Sequence, residues 1–167
     1  MGQYETGKQN RDRDRDNSQP PVLILGVGNI LLSDEGVGVH VVREMEGHNI
    51  PEDVELFDGG TASVDLLNVL ANRRKVIIVD AVKTDSEPGT LYRFTPNDIK
   101  VEQQIHSSLH QIGLLETLQM TKHLNCEPDE VVILGIEPKN LSWGMKLSPE
   151  VAEVVPRVIE LVLEEIQ

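Results

Sequence analysis

The run V-L-I-L-G-V at Val22–Val27 is the strongest constraint on how this chain can fold. It contains no polar residue, so it cannot form a strand with one wet face; it needs cover on both sides. Gly26 and Gly28 let the chain turn tightly where the run ends. A helical pattern follows over about Gly36–Glu46, with Val37, Val41, Val42 and Met45 on one face. The alternation then repeats. Val54–Phe57 reads as a second strand, ending in Asp58-Gly59-Gly60. Ser63 is placed to cap a helix over Val64–Ala71, and Lys75–Val79 forms a third strand that ends at Asp80. Pro88-Gly89 turns the chain into Thr90–Phe94, whose alternation suits an edge strand. A helix over about Leu109–Leu124, entered near Ser107 or Ser108, precedes a last strand at Val131–Ile136 and an amphipathic helix at Pro149–Ile166. Such strand–helix alternation predicts an α/β fold, a mostly parallel sheet covered on both faces.

The 167 residues make one domain, 21–167, behind a polar leader. Residues 1–20 hold no apolar cluster, and their R-D-R-D-R-D run neutralises itself, so disorder is expected there. That segment has four basic and four acidic side chains, which leaves the whole formal charge of −13 on the body. A body so acidic repels nucleic acid and anionic lipid and suits a cationic partner or a bound cation. No apolar run approaches the roughly 18 residues of a membrane span, and the N-terminus is no secretory signal. One cysteine, Cys126, excludes an internal disulfide framework and a cysteine zinc cluster. A cytoplasmic location is expected.

In parallel sheets, ligands bind outside the carboxyl ends of the strands. Here those ends carry acids: Asp34 and Glu35 after the first strand, Asp58 after the second, Asp80 at the end of the third. His110 and His106 lie near the start of the helix before the last strand, four residues apart, so they can share a helix face. A dinucleotide fingerprint would need glycine where Leu31 stands, and Asp34 and Glu35 would set two carboxylates against the phosphates. A carboxylate at a helix start can also be purely stabilising, which would account for Asp34 alone. It does not account for acids after three different strands. Carboxylate oxygen with imidazole nitrogen suits a divalent ion such as zinc, nickel or manganese. No nucleophile elbow is present, and the acidic turn after Cys126 disfavours a thiolate. Trp143 falls in a loop, where a tryptophan is expected to pack on its own domain, a binding wall being the alternative. Asp58-Gly59-Gly60-Thr61 reads as a tight turn.

Taken together, G-V-G-N-I-L-L-S-D-E-G-V-G, D-G-G-T (Asp58–Thr61), V-D-A (Val79–Ala81), L-H-Q-I-G (Leu109–Gly113), G-I-E-P (Gly135–Pro138) and K-L-S-P-E-V (Lys146–Val151) resemble the hydrogenase maturation endopeptidases. The resemblance spans essentially all of 21–167 in order. It implies a three-layer sandwich, a central twisted, mostly parallel sheet of about five strands between helices. It implies a cytoplasmic, monomeric hydrolase that removes the C-terminal peptide of a [NiFe] hydrogenase large-subunit precursor. Nickel, carried by that precursor, would license cleavage, and other divalent ions can substitute. By the same resemblance Glu35, Asp80 and His110 bind metal, His110 being chosen over His106 by its H-Q context, and Asp58 serves substrate recognition or activity. For the cleavage step, either the metal polarises the scissile carbonyl or activates water, or Asp34, Asp58 or Asp80 acts as general base, as in an aspartyl-type protease. A non-proteolytic nickel scaffold or metallochaperone on the same fold, and a nucleotide-binding α/β module, are the alternatives.

Overall fold

The structure is a computed structural model of the chain. It describes residues 19–61, 66–99 and 109–167, and at 109–112 the backbone alone. The leader up to residue 18, the capping role of Ser63, the helix entry at Ser107 or Ser108, and His106 lie outside those residues.

Five strands, β1 (Val22–Val27), β2 (Val54–Gly60), β3 (Lys75–Ala81), β4 (Leu91–Phe94) and β5 (Glu130–Ile136), form one sheet in the order β2-β1-β3-β5-β4. β1 pairs in parallel with both β2 and β3, and β3 pairs in parallel with β5. β4 is antiparallel and lies at the edge, as its alternation predicted. With neighbours on both sides, β1 buries all six of its residues, which is why its sequence tolerates no polar side chain.

Successive residues of each strand sort into two cores. Val22 and Ile24 of β1, Ile77 and Val79 of β3, and Val132 and Leu134 of β5 face α1 (Val37–Met45) and α4 (Pro149–Glu165). Leu23, Leu25 and Val27, with Val76, Ile78 and Ile133, face α2 (Leu67–Leu70) and α3 (Leu109–His123). The result is the three-layer sandwich expected. The nine residues of α1 would be marginal as a free helix. Burial of Val37, Val41, Val42 and Met45 holds it instead, at about 1.5–3 kcal/mol for each side chain.

Three polar contacts brace this frame. Buried Arg73 donates from Nη2 to Glu55 (2.6 Å), from Nε to the Val69 carbonyl (2.8 Å) and from Nη1 to the Pro20 carbonyl (2.5 Å), anchoring the entry to β1. Glu165, at the end of α4, takes Lys75 of β3 at 2.9 Å and Arg93 of β4. Buried Glu137 accepts the Thr84 N–H and hydroxyl, both at 2.9 Å, and tightens the link between β3 and β4. No helix among the described residues is long and apolar enough to cross a membrane.

The strands run further than hydrophobicity alone predicts. β2 continues through Asp58-Gly59-Gly60, so D-G-G-T is not a simple tight turn. Gly26 lies opposite Asp58 and Val27 opposite Gly60, which leaves Gly59 as an extra residue, a bulge. A bulge of this kind bends a strand end and re-aims the side chains beside it.

Candidate active site at the carboxyl ends of the strands

Two glycines bring the acidic loop onto the strand ends. Gly28 has φ +134°, and a Cβ there would lie 1.9 Å from the Glu35 carbonyl oxygen. Its N–H donates to the Gly60 carbonyl at 2.8 Å, joining the loop after β1 to the end of β2. A Cβ on Gly38 would lie 2.0 Å from the Val79 carbonyl oxygen and 2.5 Å from that of Val27. The start of α1 therefore rests directly on the ends of β1 and β3. Glu35 sits in a short 3-10 helix, Ser33–Gly36, packed against β3. Asp80 follows Val79 in β3, buried, opposite Gly135 of β5. The topology thus brings Glu35 and Asp80 to one end of two neighbouring strands. Both interact with other groups.

Asp34 and Glu35 are adjacent in sequence and differ in environment. Asp34 is fully buried. Its Oδ2 accepts the N–H groups of Lys139 (2.9 Å) and Asn140 (2.8 Å) and the Ser148 hydroxyl (2.8 Å). Its Oδ1 accepts the Ser148 N–H at 2.7 Å. Ser148 is the N-cap residue of α4, so the carboxylate stabilises the start of that helix rather than the helix that follows it in sequence. Ser33, just before it, is buried at φ +52°, a left-handed conformation that costs a non-glycine residue about 1–2 kcal/mol. Its N–H donates to the Gly144 carbonyl (2.7 Å) and its Oγ to the Ser142 carbonyl (2.8 Å), which offsets that cost.

Asp58 is exposed beside the bulge. Its Oδ2 accepts Arg43 Nε (3.1 Å) and Nη2 (2.9 Å) from α1, and its Oδ1 accepts the Gly60 N–H (3.0 Å). On the same helix, the His40 Nε2 is buried with no hydrogen-bond partner among the described residues. Burial, and then the Arg43 charge, push the His40 imidazole below its ordinary pKa. His110 is the second residue of α3; its side chain lies outside the described residues. Among the described residues no three His, Cys, Asp or Glu side chains gather at one point.

Trp143 does not pack on its own domain as its loop position suggests. It is 80% exposed, because the Asn140–Ser148 loop is held through backbone groups and Asp34 and leaves Leu141, Trp143 and Met145 outside, while Leu147 packs on the core. The long-range role of Asp34 was hidden in sequence by the separation of its partners, the nearest of them 105 residues away.

A mostly parallel sheet with a buried and a part-exposed carboxylate at its strand ends is a frame on which an α/β enzyme can build its site. Comparison with known proteins narrows this. The family model for hydrogenase maturation proteases matches residues 39–165. The chain is 37% identical to the hydrogenase 2 maturation protease of Escherichia coli (strain K12) over 144 residues, 85% of this chain and 88% of that one. Its fold matches the hydrogenase maturating endopeptidase HybD from E. coli with a TM-score of 0.78 at 35% identity, covering 87% of this chain and 91% of the other. The [NiFe] hydrogenase maturation protease HybD from Thermococcus kodakarensis matches with a TM-score of 0.68 at 26% identity, covering 87% and 99%. The chain belongs to the hydrogenase maturation protease family, and it is a peptidase.

Proposed function

We propose that this endopeptidase removes the C-terminal extension of a [NiFe] hydrogenase large-subunit precursor once nickel has been inserted. The observation that supports the proposal is the position of Glu35, in the turn after β1, and of Asp80, in β3, at the carboxyl ends of two adjacent strands, with that turn held close by Gly28. Two carboxylates with the imidazole of His110 would form a donor set of oxygen and nitrogen, suited to nickel and other divalent ions. Three donors from this chain leave positions for the precursor's own ligands. The ion belongs to the substrate, and its charge would be neutralised by a body that carries −13. It would supply polarisation of the carbonyl to be cleaved.

The remaining acids divide by environment. Asp34 has both oxygens engaged by four donors and no exposure, so we assign it to holding the loop rather than to taking a proton. Asp58 is presented on the surface by Arg43, and we assign it to substrate recognition. Hydrolysis adds water across the scissile peptide: the carbonyl carbon gains the hydroxyl and the leaving amine gains the proton. We infer that the protein works in the cytoplasm as a monomer.

The test incubates the protein with nickel-loaded and nickel-free precursor and reads the new C-terminus by mass spectrometry. Shortening of the loaded form alone is expected, abolished by Glu35→Gln or His110→Ala. Equal cleavage of both forms would remove the nickel requirement, and full activity of either variant would remove the ligand assignment. Tight binding of loaded precursor with no shortening would mark a maturation scaffold instead.

A further inference from the structure

Beside Glu35 the protein presents an apolar surface that its own packing does not use. Trp143, Met145, Leu31 and Leu141 are 80%, 63%, 46% and 41% exposed. Single exposed apolar residues are ordinary, but four on two adjoining backbone segments form a patch. The segments are tied together. The Gly144 N–H donates to the Leu31 carbonyl (2.9 Å), and the Ser33 N–H returns a bond to the Gly144 carbonyl (2.7 Å). A Cβ on Gly144 would lie 3.0 Å from Ser33 Oγ, so the loop sits close against the turn that leads to Glu35. Asp34 holds both ends of the loop, at Lys139 and Asn140 and again at Ser148. The surface is therefore ordered before any partner arrives, which lowers the entropic cost of binding. Lys146, beside Met145, is exposed and has no ion-pair partner among the described residues.

We propose that Leu31, Leu141, Trp143 and Met145, with Lys146 at their edge, dock the polypeptide substrate next to the bond to be cleaved. The inference rests on the function proposed above. An endopeptidase must hold a chain on either side of the scissile bond, and this patch is continuous in backbone with the turn that carries Glu35. Charge selects the occupant further. A second copy carries the same −13 and is repelled, as are anionic lipid and nucleic acid. An apolar stretch of polypeptide bearing a carboxylate, either a side chain or its own C-terminus, matches both the apolar patch and the exposed ammonium of Lys146. Tryptophan at such a place is the residue type that most often dominates binding energy.

Trp143 is the only tryptophan of the chain, which makes the patch directly observable. The full-length protein is prepared with 5-fluorotryptophan, so that one 19F resonance reports Trp143. Nickel-loaded precursor is added, and cleavage is followed by mass spectrometry in the same sample. The resonance is expected to shift or broaden on addition and to return as product is released. The Trp143→Ala, Met145→Ser double variant is expected to keep its melting temperature and kcat while KM rises about 10–30-fold. Cleavage with a stationary resonance and an unchanged KM overturns the inference while leaving the proposed function standing. A resonance that moves with protein concentration alone, together with dimers in sedimentation, assigns the patch to self-association and also overturns it. Failure of the wild-type protein to bind or cleave any precursor removes the functional proposal, and the docking site with it.

Discussion

Replacing Asp34 by asparagine separates a clamp from a catalyst. The change keeps shape and volume and turns one acceptor into a donor. Oδ2 accepts three bonds and Oδ1 one, so the new amide keeps its oxygen at the Oδ2 position and points its NH2 at the Ser148 N–H. One charge-assisted bond is lost outright, about 1.5–3 kcal/mol, and the Ser148 N–H loses its acceptor. The other three become neutral bonds and weaken, each by roughly 0.5–1 kcal/mol. The sum is about 3–6 kcal/mol, reduced to the extent that the loop lets in water. Because the lost bonds all hold one loop, part of the effect should appear as local opening rather than global unfolding. Native-state amide exchange at neutral pH reads this directly. The Lys139, Asn140 and Ser148 amides should exchange about 100–1000-fold faster, while those of β1 and β3 change only by the global loss measured in urea. The refuting result is an Asp34→Asn variant with wild-type stability and wild-type protection of these amides that no longer cleaves precursor. Asp34 would then act on the reaction itself.

Two further substitutions probe the frame. Gly28→Ala should cost about 2–5 kcal/mol in urea unfolding, because the methyl meets the Glu35 carbonyl at 1.9 Å and φ is +134°; a variant as stable as the wild type would refute the close approach. Glu165 is held below the usual carboxylate range by its hydrogen bond to Arg93 and then by Lys75, so its contribution is present above the ordinary glutamate pKa of about 4.3 and is lost as pH falls through the lowered value. The stability gap between wild type and Glu165→Gln should accordingly be flat from pH 7 to about 5 and close below about 4, whereas a gap that widens on acidification contradicts the pairing.

The sheet was legible because its pattern is local. Six residues without a polar side chain could only be a central strand, and β1 has neighbours on both sides. Element ends were less legible wherever a polar residue still belongs to the ladder. Asp58 and Glu130 keep their places in the strands although exposed, and Asp80 although it is a buried acid, since backbone pairing does not depend on the polarity of the side chain. The glycine bulge in D-G-G-T is likewise a property of the pairing with β1, which no stretch of β2 reveals alone. Arg73 was missed because its partners, Glu55 and Pro20, lie 18 and 53 residues away, and an arginine in a polar stretch gives no sign of burial.

The acids at the strand ends follow the same division. Their recurrence after three strands puts them at the carboxyl end of the sheet, but sequence could not sort them, because burial is decided by which distant backbone groups arrive. Ser33, in its left-handed conformation, fixes the turn at which Asp34 enters the protein and meets the N–H groups of Lys139, Asn140 and Ser148. Glu35, one residue on, lies over Gly28 at the strand ends and stays partly exposed. A buried carboxylate with four donors is costly to place and is kept only if those donors would otherwise lack partners. Here they belong to the loop that carries Trp143. In the function proposed above, the adjacent acids Asp34 and Glu35 couple two things a protease must align: Asp34 fixes the loop proposed to carry the substrate, and Glu35 is the ligand proposed at the place of cleavage.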